Sequence, residues 1–184
     1  MIVAFARILL VLVVAGLTHL TSVLAMPWLA PKAGYMRLVP LAKGNEMTLL
    51  PARDLQQAIP FWDPAVAAAA CRYVLDTGPV RIRAAVGGSS MAVLFLRKGV
   101  GVFQSYSDRA ATQGILEMVI ATPEQMRQIT ALDADDEPVQ EIRVLSEDDT
   151  GLVLVKAVVP TASQRADVEA LVGAATCEAE SLER

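Results

Sequence analysis

Catalytic chemistry has few residues to draw on in this chain of 184 residues. It holds one histidine, His19, and two cysteines, Cys71 and Cys177. A Ser-His-Asp or Cys-His nucleophile needs an imidazole beside the reacting group, and no histidine follows residue 19. There is no Ser-x-x-Lys and no Walker-type loop. Gly99-x-Gly101 carries Gln104 where the dinucleotide fingerprint needs its third glycine. The acidic stretch from Asp133 to Asp149 sets eight carboxylates against Arg143. Read as a calcium loop from Asp133, it places Pro138 where the sharp turn requires glycine. It reads instead as solvated helix-end and turn surface. No cofactor and no metal are expected.

Three constellations remain. Ser107-Asp108-Arg109 lies in a polar loop between two apolar strands, and scaffolded loops often carry function. The plain alternative is an Asx-type turn with Arg109 bridging a carbonyl or carboxylate. Arg81 and Arg83 alternate along one strand and share a face, which either takes an anion or pairs across strands. Cys71 and Cys177 are too far apart for a C-x-x-C redox pair. On the oxidising side of a membrane they would form a disulfide; otherwise they are buried, reduced and behave as small hydrophobes.

Compartment therefore matters, and the N-terminus bears on it. From Ile8 to Pro31 no Asp, Glu, Lys or Arg occurs, and eleven Leu, Ile or Val residues lie between Ile8 and Met26. About 20 helical residues cross a hydrocarbon core, and this run favours insertion by a few kcal/mol. Pro27 and Pro31 are expected to stop the helix, with Trp28 and Tyr35 at the lipid interface. A cleaved signal peptide, ending near Val23-Leu24-Ala25, is the rival. The charges conflict over orientation: Lys32, Arg37 and Lys43 outnumber Arg7 and the amine, although the signal-like start and the cysteines favour an external domain. Inside the span, Thr18, His19 and Ser22, with Ala15, share one helical face. Such a stripe is a candidate contact for a second helix, and the bland reading is a neutral imidazole satisfied near the outer end.

Residues 1–31 are thus read as anchor and short cytoplasmic tail, and residues 32–184 as one periplasmic domain. The domain carries 15 basic and 20 acidic residues, which removes the footprint of a nucleic-acid binder. Its prolines at 40, 51, 60 and 64 suggest an irregular, mostly extended lead-in. Strands are expected at Val80–Ala84, Met91–Leu96, Val100–Tyr106 and Ile115–Ala121, with Val139–Leu145 and Leu152–Val159 as a second hairpin. Thr122-Pro123-Glu124-Gln125 is a capping box starting a helix to about Ala131. Another helix covers roughly Ser163–Thr176, and Asp63-Pro64 could start a short one through the alanines before Cys71. The fold class is α+β: an N-terminal transmembrane helix, then a mostly antiparallel sheet with two or three short helices.

The segment Ala69–Arg83, with Cys71 and Thr77-Gly78-Pro79-Val80-Arg81, resembles the small, membrane-anchored members of the domain of unknown function 1254 family. The likeness continues through Val102–Arg109 and Gly114, Ile120–Met126 and Val155–Pro160. It takes in His19, Pro27 and the cysteine near the C-terminus. The resemblance implies no activity and no catalytic residues. It does imply a retained anchor in the bacterial inner membrane and a companion protein of the domain of unknown function 1214 type. The expectation is a single-pass membrane protein whose periplasmic domain binds that companion. The rival is a small-ligand-binding or enzymatic domain using the Ser107–Arg109 loop and the Arg81/Arg83 face.

Overall fold

The computed structural model describes residues 2–29, 31–133 and 141–181. Helix α1 (Ile2–Leu29) leads into α2 (Pro31–Leu38), a short 3-10 turn and the strands β1 (Lys43–Gly44) and β2 (Thr48–Leu50). Helix α3 (Ala52–Ala58) precedes β3 (Val66–Val74), β4 (Val80–Ala85), β5 (Met91–Arg97), β6 (Gly101–Ser107) and β7 (Ile115–Ala121). Helix α4 (Pro123–Leu132), β8 (Ile142–Leu145), β9 (Thr150–Val158), α5 (Arg165–Gly173) and β10 (Thr176–Ala179) complete the chain. The class is α+β, with a long apolar helix ahead of a mixed-sheet domain.

The strands form two sheets. Sheet 1 runs β1-β3-β9-β5-β6, with β2 also paired to β3; sheet 2 runs β10-β4-β7-β8. Most pairings are antiparallel, the exceptions being β1 with β3 and β7 with β8. Side chains alternate across a strand, and here the alternation divides two apolar layers. From β3, β9 and β5, the residues Cys71, Tyr73, Val93, Phe95, Val153 and Val155 point toward sheet 2. Ala68, Ala70, Leu96, Leu152 and Leu154 point the other way, under Tyr35, Leu38 and Leu55 from α2 and α3. Strands buried on both faces read as unbroken apolar runs, which explains Met91–Leu96. Sheet 2 buries one face only, so β4 alternates Val80, Ile82 and Ala84 inward with Arg81 and Arg83 outward.

Several expectations are corrected. Pro27 does not stop α1, which continues to Leu29, and Pro31 opens α2 instead. Proline removes one N–H donor but already has a helical φ, so it suits a first turn. Tyr35 is buried against sheet 1 and is no interface residue, while the side chain of Trp28 lies outside the described ones. The lead-in is largely helical through α2 and α3. The alanines after Pro64 are strand, because only small side chains fit under the helix layer and between the sheets; Asp63 caps a turn, accepting from Ala65 N at 2.8 Å. The second helix is shorter than expected and gives way to β10.

The second hairpin does not form. β8 joins β7 in sheet 2 and β9 pairs with β3 and β5 in sheet 1, while Val139 lies outside the described residues. The polar segment from Ser146 to Thr150 is a crossover between sheets. Ser146 N donates to Ala121 O at 2.9 Å, and Leu75 N to Asp149 O at 2.8 Å. Ser146 Oγ lies 3.1 Å from the buried Tyr73 hydroxyl and donates to Asp148 O at 2.6 Å. Gly151 leaves the space that the Tyr73 ring occupies: a Cβ there would lie 2.1 Å from the hydroxyl oxygen. The Cys71–Cys177 disulfide joins β3 to β10, hence sheet 1 to sheet 2, across a separation of 106 residues.

Two outcomes follow from this packing. Gly151→Ala should destabilise the domain by about 1–3 kcal/mol in urea unfolding, as overpacked cores do. Denatured, unreduced protein should show no reactive thiol, and reduction should lower stability by up to about 4.7 kcal/mol on the loop-entropy account.

Candidate functional site

The outward face of sheet 2 gathers the densest set of charged side chains. β4 and β7 pair so that Arg83 lies opposite Glu117, and Arg81 reaches the same carboxylate diagonally. Arg81 Nη1 donates to Glu117 and to Glu141, each at 2.6 Å. Its Nε and Nη2 fork onto Glu180, the Nη2 bond measuring 3.0 Å. Arg83 adds bonds of 2.7 and 3.1 Å to Glu117. Arg143, on β8, grips Asp133 bidentately at 2.6 and 2.7 Å. It approaches Glu141 at 3.4 Å.

Local structure sets this geometry. The capping box is formed as the sequence requires: Gln125 N donates to Thr122 Oγ1, and Thr122 N to Gln125 Oε1. Gln125 Nε2 also donates to Leu75 O at 2.7 Å, tying α4 to the end of β3. Glu180 is brought to Arg81 by the β10–β4 pairing, extended by Glu180 N donating to Pro79 O at 2.8 Å. Gly78 permits that approach, since its φ is +149° and a Cβ would lie 2.0 Å from Glu180 O.

Among the described residues the Arg81/Arg83 face pairs across strands, the second of its two expected uses. Three guanidinium groups meet four carboxylates; all three Arg81 nitrogens are engaged, whereas the Arg83 side chain stays 57% exposed. Multiple carboxylates raise the Arg81 pKa, Glu180 first, against the opposing effect of burial. Hydrogen bonds from Arg83, then Arg81, hold the Glu117 carboxyl below its ordinary value against desolvation. The face includes a cleft of about 290 Å³ lined by Arg81, Val119, Ile129 and Glu141, among others. Its charged groups act as a clamp joining four strands and the end of α4.

The other predicted residues lie apart from this cluster. Ser107 ends β6 in sheet 1, and Asp108 and Arg109 open an exposed 3-10 turn in which Ala111 N donates to Asp108 O at 3.1 Å. Among the described residues, the side chains of Asp108 and Arg109 make no hydrogen bond or ion pair. The loop and the Arg81/Arg83 face belong to different sheets. On α1, the Thr18 hydroxyl donates to Val14 O and that of Ser22 to Thr18 O, both at 2.9 Å. Those hydroxyls are satisfied within their own helix, beside an exposed His19. The carboxylates Glu117, Glu141 and Glu180 carry no signal in the sequence, because only strand register reveals that they meet Arg81.

No protein-family profile and no curated protein matches the chain. Among solved structures, it is similar to the VPA0106 protein from Vibrio parahaemolyticus, with a TM-score of 0.57 at 8% identity. The match covers 84% of this chain and 36% of that one. An uncharacterised protein from Burkholderia cenocepacia gives a TM-score of 0.49 at 10% identity, over 76% of this chain and 36% of that one. This chain thus spans about a third of the length of the solved proteins it matches, and the likeness to the Vibrio protein is one of fold.

The clamp has a defined pH signature. A carboxyl with a depressed folded pKa stabilises the fold above its unfolded value, near 4.5 for Glu117, and loses that contribution as pH falls through the folded value. Glu117→Gln should therefore cost about 0.5–1 kcal/mol at pH 7, discounted for solvent exposure. The difference from the parent chain should shrink toward zero near pH 3 in urea unfolding.

Proposed function

We propose that this chain is a non-enzymatic, single-pass inner-membrane protein of the domain of unknown function 1254 type, whose periplasmic domain binds a companion envelope protein. α1 is long and apolar enough over Ile2–Met26 to cross a bilayer, a property that a signal sequence shares. The Cys71–Cys177 disulfide favours an oxidising compartment for the domain. That consideration outweighs the count of Lys32, Arg37 and Lys43 against Arg7 in assigning the domain to the periplasm.

The observation that carries the partner reading is the edge of sheet 1. β6 pairs with β5 alone, so its other edge has no strand among the described residues. Its seven residues include no charge and no proline, and Val102 is 49% exposed. Natural edges are commonly protected by Lys, Pro, bulges or a covering element; here α2 lies against part of β6 and one register shift interrupts its pairing with β5, while its far edge takes no strand among the described residues. An edge strand without a second strand partner suits addition of a partner strand, with backbone bonds giving affinity. Ser107, Asp108 and Arg109 close the same strand and are placed to set specificity at its end.

Purification in mild detergent from the native host should recover a companion of the domain of unknown function 1214 type. Val102→Lys should abolish that recovery while leaving the unfolding midpoint unchanged; monomeric bait from the parent chain would refute the reading. A C-terminal reporter should be active only as a periplasmic fusion, and intact mass should retain residues 1–25.

A further inference from the structure

The segment after α3 departs from turn chemistry in a way that the core does not require. Trp62 N donates to Ile59 O at 3.2 Å, closing a four-residue turn with Pro60 and Phe61 at its centre. Phe61 has φ of +63°. Proline followed by a residue with positive φ is the pattern of a type II turn, whose third position is ordinarily glycine. A bulky side chain in that backbone region is a strained exception, and such exceptions concentrate at functional sites. Phe61 gains no packing in return, since it is 104% exposed.

Its neighbours show where it points from. Ile59 and Trp62 both pack on the cluster of Tyr35 and Leu38, the inward residues of α2. Arg37 of α2 donates to Ala58 O at 3.3 Å, and Trp62 Nε1 donates to Val66 O at 3.4 Å. The turn is thus fastened on both sides while the phenyl ring projects from it. α2 is the element next in sequence to α1 and is in contact with it. Charge is distributed to match: residues 31–64 carry four basic and three acidic side chains, whereas residues 133–184 carry four basic and thirteen acidic. The carboxylates of the clamp lie on the outer face of sheet 2, across both apolar layers from α2.

We infer that the domain rests with its α2–α3 side against the bilayer and that Phe61 inserts at the lipid interface as a second, shallow attachment. The inference rests on α1 being a retained span. An aromatic ring at headgroup depth buries apolar surface there, and a neutral patch avoids repulsion from anionic lipid. The consequence is a fixed orientation: sheet 2 faces away from the membrane and the β6 edge stands lateral to it, open to a partner.

Phe61→Cys in the full-length chain provides the test, because both native cysteines are held in the disulfide and a nitroxide label would report one site. In single-copy nanodiscs of phosphatidylcholine, the label at 61 should be relaxed more by oxygen than by a water-soluble nickel chelate. Gln128→Cys on α4 should show the opposite, and Val13→Cys should read deep in the bilayer. A label at 61 as aqueous as that at 128, with 13 still deep, would overturn the insertion while leaving the anchor intact. A label at 61 shielded from both relaxants would show protein covering the site, and would overturn it too. Loss of the deep reading at 13 would bring down the anchor reading itself.

Discussion

The two-faced burial of sheet 1 is the constraint on which the rest of the molecule depends. β9 lies between β3 and β5, so its backbone is paired on both edges while its side chains are buried on both faces. Odd positions in Val153–Ala157 build the inter-sheet core, and Leu152 and Leu154 build the layer beneath α2 and α3. A slip of one residue would exchange the two sets. The alanines of β3 face larger partners on both sides, which leaves room for the helices and for sheet 2 at once. Without this strand trio, α2 would have nothing to pack on and α1 would join the domain through a loose segment.

Sheet 2 is bound to that framework at a few points of high specificity. The Cys71–Cys177 bridge connects a central strand of sheet 1 with an edge strand of sheet 2. Tyr73 and Ser146 make a buried hydroxyl pair where the chain crosses back from β8 to β9. On the far surface the Arg81 cluster stitches β10, β4, β7 and β8 together through their outward side chains. Burial raises the Tyr73 pKa, against the bond to Ser146, so its hydroxyl stays protonated and available to hydrogen-bond across the physiological range. These contacts tie the two sheets together at the disulfide and the Tyr73–Ser146 pair, and tie the strands of sheet 2 to one another at the outer charged face.

The resulting molecule has distinct sides. The helix layer next to α1 is apolar and nearly neutral, the opposite face is a web of paired charges, and the β6 edge lies between them. The solved structure from Vibrio parahaemolyticus shares the fold across about a third of its own length, so this architecture also occurs as part of a larger chain.

Local signals are legible wherever a residue's neighbours in sequence decide its conformation. The apolar run of α1, the capping box at Thr122, the period-two alternation of β4 and the β5–β6 hairpin are of this kind, and the α+β class follows from them. The likeness at Ala69–Arg83 remains a resemblance in sequence. Pairing at a distance is not legible. Nothing in a short apolar run distinguishes a hairpin partner from a strand of the next sheet, so sequence alone joins Val139–Leu145 to Leu152–Val159 in a hairpin that the fold does not make. The glutamates that occupy Arg81 come from positions 117, 141 and 180, and only the register of four strands brings them together. Phe61 is singled out only by the fold, where Ile59 and Trp62 pack on the α2 layer while its own ring stands in solvent. Hydrophobic period and capping act between near neighbours, so β4, β5, β6, β7, α4 and the apolar N-terminal helix are written in the chain itself, whereas the helical lead-in and the alanine strand β3 are decided by what they pack against. The sheet partners, the closure of the disulfide and the neutralisation of the arginine face emerge only on folding, because each depends on contacts between residues remote in the chain.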